Sequence, residues 1–112
     1  MICKQFEIVV VPFPFMDQPG SKPRPAIILS DQKFNRSGNS ILAMITTTSH
    51  SQWPGDTIIS DRKKAGLSID CMVRLKLFTL DNKLISRRIG QLGVDDKKQL
   101  VAELQSFLPF NS

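Results

Sequence analysis

Apolar residues along this chain cluster into short runs, separated by stretches dense in Gly, Pro, Ser, Asn and Asp. Residues 5–13 are rich in Val, Ile and Phe and read as a strand. Pro12 and Pro14 place its end at a sheet edge or a bend, because proline cannot donate to a ladder. Residues 16–23 carry Asp17, Pro19, Gly20, Ser21 and Pro23, which is loop chemistry. Residues 25–30 form a continuous apolar run of strand length, expected to be buried on both faces. Residues 31–39 are polar and end in the turn cluster Ser37-Gly38-Asn39. A third strand is expected over 40–48, a loop over 49–55 and a short strand over 56–60. Residues 61–68 form a charged connection containing Gly66. Over 71–80 the residues Met72, Arg74, Lys76 and Phe78 alternate with Val73, Leu75, Leu77 and Thr79, the period of a strand with one wet face. Asp81-Asn82-Lys83 supplies a turn, and 84–92 returns as a short helical turn or strand. The clearest helix covers 95–108, where Leu100, Val101, Leu104, Phe107 and Leu108 make one apolar stripe. Asp95 and Asp96 sit where the helix dipole favours acids, and Pro109 stops the helix.

About six short strands followed by one helix, with closely spaced turn signals, predict a mainly β domain. The expected architecture is an antiparallel barrel closed or capped by the C-terminal helix. The 112 residues fit one domain, 1–112, which buries roughly two-thirds of its unfolded surface. No stretch approaches a membrane span, and the run from Ile8 to Phe15 is too short and proline-broken for a signal peptide. A cytoplasmic protein is expected.

Charge narrows the partners. Fifteen Lys and Arg against ten Asp and Glu give a formal net charge of +5, which favours a polyanion, either nucleic acid or an acidic protein. The two cysteines, Cys3 and Cys71, lie in apolar runs without metal-ligand spacing and are expected as buried free thiols.

The candidate chemistry is then reached by elimination. One histidine rules out a two-histidine acid–base pair within the chain. Phosphate-loop, dinucleotide and HExxH motifs are missing, and the carboxylates are scattered. No metal or other cofactor is expected. What remains is a cationic site acting on phosphate, work that suits the planar, always-charged fork of arginine. RNA brings its own nucleophile, the 2′-hydroxyl, so a protein need only align it, stabilise the phosphorane and assist proton transfer.

Four stretches resemble the MazF/PemK toxin family, whose fold is the SH3-like barrel of the CcdB/PemK type. They are Glu7 to Phe15, Gly20 to Ser30 around Arg24-Pro25, Ile45-Thr46-Thr47, and Val73 to Asp81 followed by Ile89-Gly90-Gln91-Leu92. The resemblance implies a homodimeric, metal-independent endoribonuclease toxin of a type II toxin–antitoxin system. It would cut single-stranded RNA, expected to be messenger RNA, at short sequences, leaving 2′,3′-cyclic phosphate and 5′-hydroxyl ends. It also implies an acidic antitoxin that blocks the RNA groove. The family's catalytic arginine falls on Arg24 and its catalytic threonine on Thr46. Some members add a late-strand Arg and, two residues on, an Asp. Here Arg74 matches the first and Lys76 stands in place of the second.

Around that pair, Thr47 and Thr48 compete with Thr46, since strand register decides which faces the groove. Arg74 and Lys76, two apart, are expected on one strand face as RNA contacts. Of Arg87 and Arg88, at most one is expected to touch RNA. His50 follows the threonines, and imidazole changes charge near neutral pH; a solvated loop histidine is its plainer reading. Trp53 is placed to stack a base or to cover the barrel end. Lys22 adds phosphate attraction. Two further functions stay open: a non-enzymatic gyrase poison and an RNA- or peptide-binding module on the same barrel. The first relies on a Trp-Gly-Ile chain end, whereas this chain ends Leu108-Pro109-Phe110-Asn111-Ser112.

Overall fold

The computed structural model describes residues 1–14 and 19–110; the Asp17 part of the first loop and the last two residues lie outside it. Six strands form one sheet: β1 (Glu7–Phe13), β2 (Lys22–Ile28), β3 (Asn39–Thr47), β4 (Thr57–Ile58), β5 (Cys71–Asp81) and β6 (Arg87–Gln91). Three helices, α1 (Gln32–Asn35), α2 (Arg62–Ala65) and α3 (Val94–Phe107), lie between or after them. The strands pair antiparallel in the order β4-β5-β3-β2-β1-β6. Register shifts between Ile8 and Val9 of β1 and between Ala43 and Met44 of β3 interrupt the ladders. Such bulges sharpen twist and bend the strand, and the sheet curls into a half-barrel. Its edge strands, β4 and β6, do not pair with each other; α3 packs by β4 and α2 by β6.

Alternation divides the apolar residues of β1 and β2 between two cores. Ile8 and Ile27 join Ala43, Ile45, Val73, Leu92 and Leu100 inside the curl. Val9, Val11, Ala26 and Ile28 join Leu42, Leu80, Ile85 and Cys3 on the other face. The run 25–30 is therefore buried on both sides, as expected, at Ala26, Ile27 and Ile28. β1 lies between β2 and β6, but Pro12 sits past Val10↔Arg87, where the β6 ladder has ended, so its missing N–H interrupts no ladder there.

Two polar stretches read as turns or connections are single-turn helices. Asp31 caps α1 by accepting from the Phe34 amide at 2.9 Å, and Asp61 caps α2 by accepting from the Lys64 amide at 3.2 Å. Four residues carry too little periodicity to announce a helix. α1 closes the second core through Asn35, whose Nδ2 donates to Cys3 O at 2.8 Å and whose carbonyl accepts from Asn82 Nδ2 at 2.7 Å. The stretch 84–92 realises both alternatives: a 3₁₀ turn over Asn82–Leu84, then β6.

Asp96 does more than complement the dipole of α3. It is buried, accepting from Ser60 Oγ at 2.6 Å and from the Asp61 amide at 2.9 Å. Burial pushes its carboxyl upward, but these hydrogen bonds outweigh that and hold it below the usual range. The carboxylate thus pins α3 to the segment between β4 and α2. Only Leu100 of the α3 stripe is fully buried; Phe107, Leu108 and Phe110 are exposed. No helix among the described residues is long and apolar enough to cross a membrane.

α2 lies directly on the backbone of β6. A Cβ added at Gly90 would stand 2.4 Å from the Ala65 carbonyl carbon. Gly66, at φ 76°, caps α2 at the same contact. Gly90→Ala should therefore lower stability by about 1–3 kcal/mol, the usual cost of overpacking, while Ala102→Ser on the exposed side of α3 changes it by under about 0.5 kcal/mol. Urea midpoints measure both. Equal midpoints for Gly90→Ala and wild type would refute the close contact.

Candidate active site

The β2 backbone shows where a site can open. On one side the Phe6 amide donates to Ile28 O at 2.7 Å, and on the other the Leu29 amide donates to Ile41 O at 2.8 Å. Backbone groups alternate along a strand. Ile28, Ala26 and Arg24 therefore face β1, and Ile27, Pro25 and Pro23 face β3. Neither proline has an N–H to give. The β1–β2 ladder runs on to Phe13↔Lys22, but the β2–β3 ladder covers only Ala26↔Met44, Ile27↔Ala43 and Ile28↔Leu42. Beyond it β3 pairs with β5 alone, through Ile45↔Val73, Thr46↔Met72 and Thr47↔Cys71. Extending the β2–β3 register by two residues sets Arg24 across from Thr46 with no ladder between them.

A groove of about 690 Å³ opens there. Pro23, Arg24 and Pro25 line one wall and Met44, Ile45, Thr46 and Thr47 the other, with Phe13 and Val10 from β1. The turn after α2, through Leu67, Ser68 and Ile69, closes one end; Lys76, Arg87 and His50 complete the polar lining. No Asp or Glu lines it among the described residues. Arg24, Lys76 and Arg87 have no ion-pair partner among the described residues. Uncompensated cations in a walled cleft raise the local potential and draw anions in.

Local bonding separates the threonines. Thr47 Oγ1 lies 2.7 Å from Ser49 Oγ and is engaged with it. Thr46 makes no side-chain hydrogen bond among the described residues, and Thr48 is not part of the lining. His50 is exposed, its amide donating to Thr47 O at 3.3 Å. Cys71 also borders the groove, where burial, reinforced by Asp70, pushes its thiol upward and so disfavours the thiolate. Both cysteines are buried and free. No group of three or more His, Cys, Asp or Glu is arranged to hold a metal ion among the described residues.

The groove thus gathers Arg24, Thr46, Thr47, His50 and Lys76. It does not gather Lys22, Trp53 or Arg74. Lys22 is exposed at the start of β2. Arg74 is turned into an internal ion pair with Asp56, at 3.0 Å, with side chains only 11% and 2% exposed. Trp53 covers its guanidinium at 4.6 Å. The register shift explains why Arg74 and Lys76 part company. Met44 pairs with Arg74 but Ala43 with Leu77, so Leu75 and Lys76 are extra residues on β5 and simple alternation fails between them. Of Arg87 and Arg88, of which at most one was expected at the RNA, Arg87 lines the groove and Arg88 pairs with Glu7 at 3.0 Å.

Residues 4–108 match the model of the PemK-like, MazF-like toxins of type II toxin-antitoxin systems. The chain belongs to that family. Solved structures share the toxin fold at low sequence identity. The MazE–MazF complex from Deinococcus radiodurans superposes with a TM-score of 0.77 at 18% identity, covering 99% of this chain and 100% of that one. Toxin MazF-mt6 from Mycobacterium tuberculosis gives 0.75 at 19%, covering 95% and 99%. An endoribonuclease in complex with its cognate antitoxin, from a mycobacterial species, gives 0.74 at 16%, covering 98% of each chain. No curated protein sequence matches significantly.

The clamp behind the groove has a pH signature. Burial pushes the Asp56 carboxyl upward, but the hydrogen bonds from Arg74 and the Trp53 amide, with the Arg74 charge, outweigh it and hold it low. A lowered native value stabilises fully above the unfolded value of roughly 3.9, and that stability is lost as pH falls through the native one. Asp56→Asn should therefore lower stability at pH 7 by about 3–5 kcal/mol, by stranding a buried Arg74, and should flatten the acid limb. Urea midpoints followed from neutral pH into the acid range test this. Parallel curves for wild type and variant would refute it.

Proposed function

We propose that this toxin-family chain is a sequence-specific, metal-independent endoribonuclease. It cuts single-stranded RNA, messenger RNA above all, leaving a 2′,3′-cyclic phosphate and a 5′-hydroxyl. The observation that carries the reading is Arg24, without an ion-pair partner among the described residues, opposite Thr46 across the gap that two prolines leave in the sheet.

The chemistry follows from the groups present. The scissile phosphate sits against Arg24, whose fork binds two non-bridging oxygens. The 2′-hydroxyl gives up its proton as its oxygen attacks phosphorus, the P–O5′ bond breaks, and the leaving 5′-oxygen takes up a proton, so no net proton is gained or lost. Arg24 faces the charge that builds on the phosphorane, and stabilising that charge is the greatest help a protein can give this reaction. Thr46, with no side-chain hydrogen bond among the described residues, bonds the phosphate or the 2′-hydroxyl. Lys76 stands where some relatives place a carboxylate and adds attraction for phosphate, and His50 brings an imidazole to the lining. Lys22, Thr47 and Arg87 extend the cationic and polar track.

The same groove, lined by no acid among the described residues, suits an acidic antitoxin segment as partner. The exposed Phe107, Leu108 and Phe110 support a homodimer, since a patch of this kind usually marks an interface. Residues 1–112 act as one cytoplasmic toxin domain in this reading.

A cleavage assay with excess EDTA tests the activity. Wild type should cut RNA and spare DNA, which lacks the 2′-hydroxyl. Arg24→Ala should lose roughly 10²–10³ in rate with its fold intact, and Arg24→Lys should recover only part, lacking the fork. Arg62→Ala, which removes an exposed ion pair with Asp70, should cut normally. Cleavage that needs added Mg²⁺, or full activity in Arg24→Ala, would overturn the mechanism; a monomer in sedimentation at tens of micromolar would overturn the dimer.

A further inference from the structure

Arg74 lies beside the β5 bulge, on the far side of the loop that carries His50. Its Nε donates to Asp56 Oδ1 at 3.2 Å and its Nη2 to Asp56 Oδ2 at 3.0 Å. The same Nη2 donates to Ser51 O at 2.6 Å. Asp56 Oδ2 also accepts from the Trp53 amide at 2.7 Å, and the indole of Trp53 lies over the guanidinium. Residues 51, 53 and 56 are thus tied to one side chain. The loop's beginning is tied separately, by the Thr48 amide donating to Asp70 O at 3.2 Å. Between these two fastenings stands His50, in the groove wall.

We propose that Arg74 is a positioning residue: by clamping the 48–56 loop through Ser51, Trp53 and Asp56, it holds His50 at the groove in which RNA is cut. This rests on the RNA-cleavage reading for its catalytic consequence, though the clamp itself does not. A guanidinium is required because it presents several donors in a fixed fork, where a lysine offers one compact charge. An arginine so engaged is not available to phosphate. Trp53 has one ring face occupied, so a base can reach it only from the other side.

The test exploits the single tryptophan of the chain, which makes Trp53 fluorescence a reporter of the loop. Acrylamide quenching, RNA-binding salt dependence and kcat/KM on one RNA are measured for wild type, Arg74→Ala, Arg74→Lys, Asp56→Asn and the Arg74→Ala/Asp56→Asn pair. The clamp predicts more efficient quenching in every variant. It predicts a fall in kcat/KM of roughly tenfold or more in each single variant, with the double variant no worse than the poorer single, since both act through one contact. The salt slope should not change, because no phosphate contact is lost. A slope shallower by about one in Arg74→Ala, with Asp56→Asn binding as well as wild type, would make Arg74 a phosphate ligand and overturn the proposal. If Arg74→Ala does not fold, Arg74→Lys decides: wild-type quenching and rate refute the clamp. Wild-type protein that cuts no RNA would sink the activity, while quenching would still read the clamp. Variants with loosened quenching but unchanged cleavage would sink the positioning role alone.

Discussion

Two absent N–H groups, at Pro23 and Pro25, decide where this sheet can hold a site. Both prolines face β3, so the β2–β3 ladder must stop at Ala26 while β2 stays bonded to β1. Unzipping one side of a central strand leaves two backbones diverging from a fixed hinge, and the space between them is the groove. The same prolines fix the residue between them. Pro25 biases Arg24 toward extended backbone and Pro23 has its own φ locked, so Arg24 is presented on a stiff rail. Flexibility that would otherwise be lost on binding phosphate is already restricted by the covalent chain.

Charge follows the same layout. Seven of the described carboxylates are held by structural bonds: Asp31, Asp61 and Asp81 cap short helices. Glu7, Asp56 and Asp70 pair with Arg88, Arg74 and Arg62, and Asp96 anchors α3. The groove is left with Arg24, Lys76 and Arg87 and, among the described residues, no acid in its lining. Its polarity is thus not a matter of net charge alone. It reflects where the acids are bound, which makes an anion the natural occupant of the cleft.

Much of this was legible in the sequence because runs of Val, Ile and Leu in strands carry their own period. β1, β2, β3, β5 and α3 fall within a few residues of the expected positions, and the residues resembling the family's catalytic pair, Arg24 and Thr46, meet in one groove. What was not legible depends on pairing. The Ala43/Met44 register shift, which separates Arg74 from Lys76, leaves no mark in the local alternation of β5. Asp56 reads only as the start of a short strand until the fold brings it to Arg74 across eighteen residues of chain. The helices α1 and α2 are too short to show a period, and Gly90 shows its role only once α2 lies on β6.

The gap beside β2 is where phosphate should meet this protein. An NMR titration of isotope-labelled protein with an RNA made uncleavable by 2′-deoxy substitution probes that meeting point residue by residue. The largest shift changes should fall at Arg24, Thr46, Thr47, Lys76 and Arg87, around the groove. A second cationic hollow, lined by Lys4, Lys33, Arg36 and Lys97 at the opposite end of β1, serves as the internal comparison. Shift changes concentrated in that hollow, with Arg24 and Thr46 unmoved, would contradict a phosphate site in the gap.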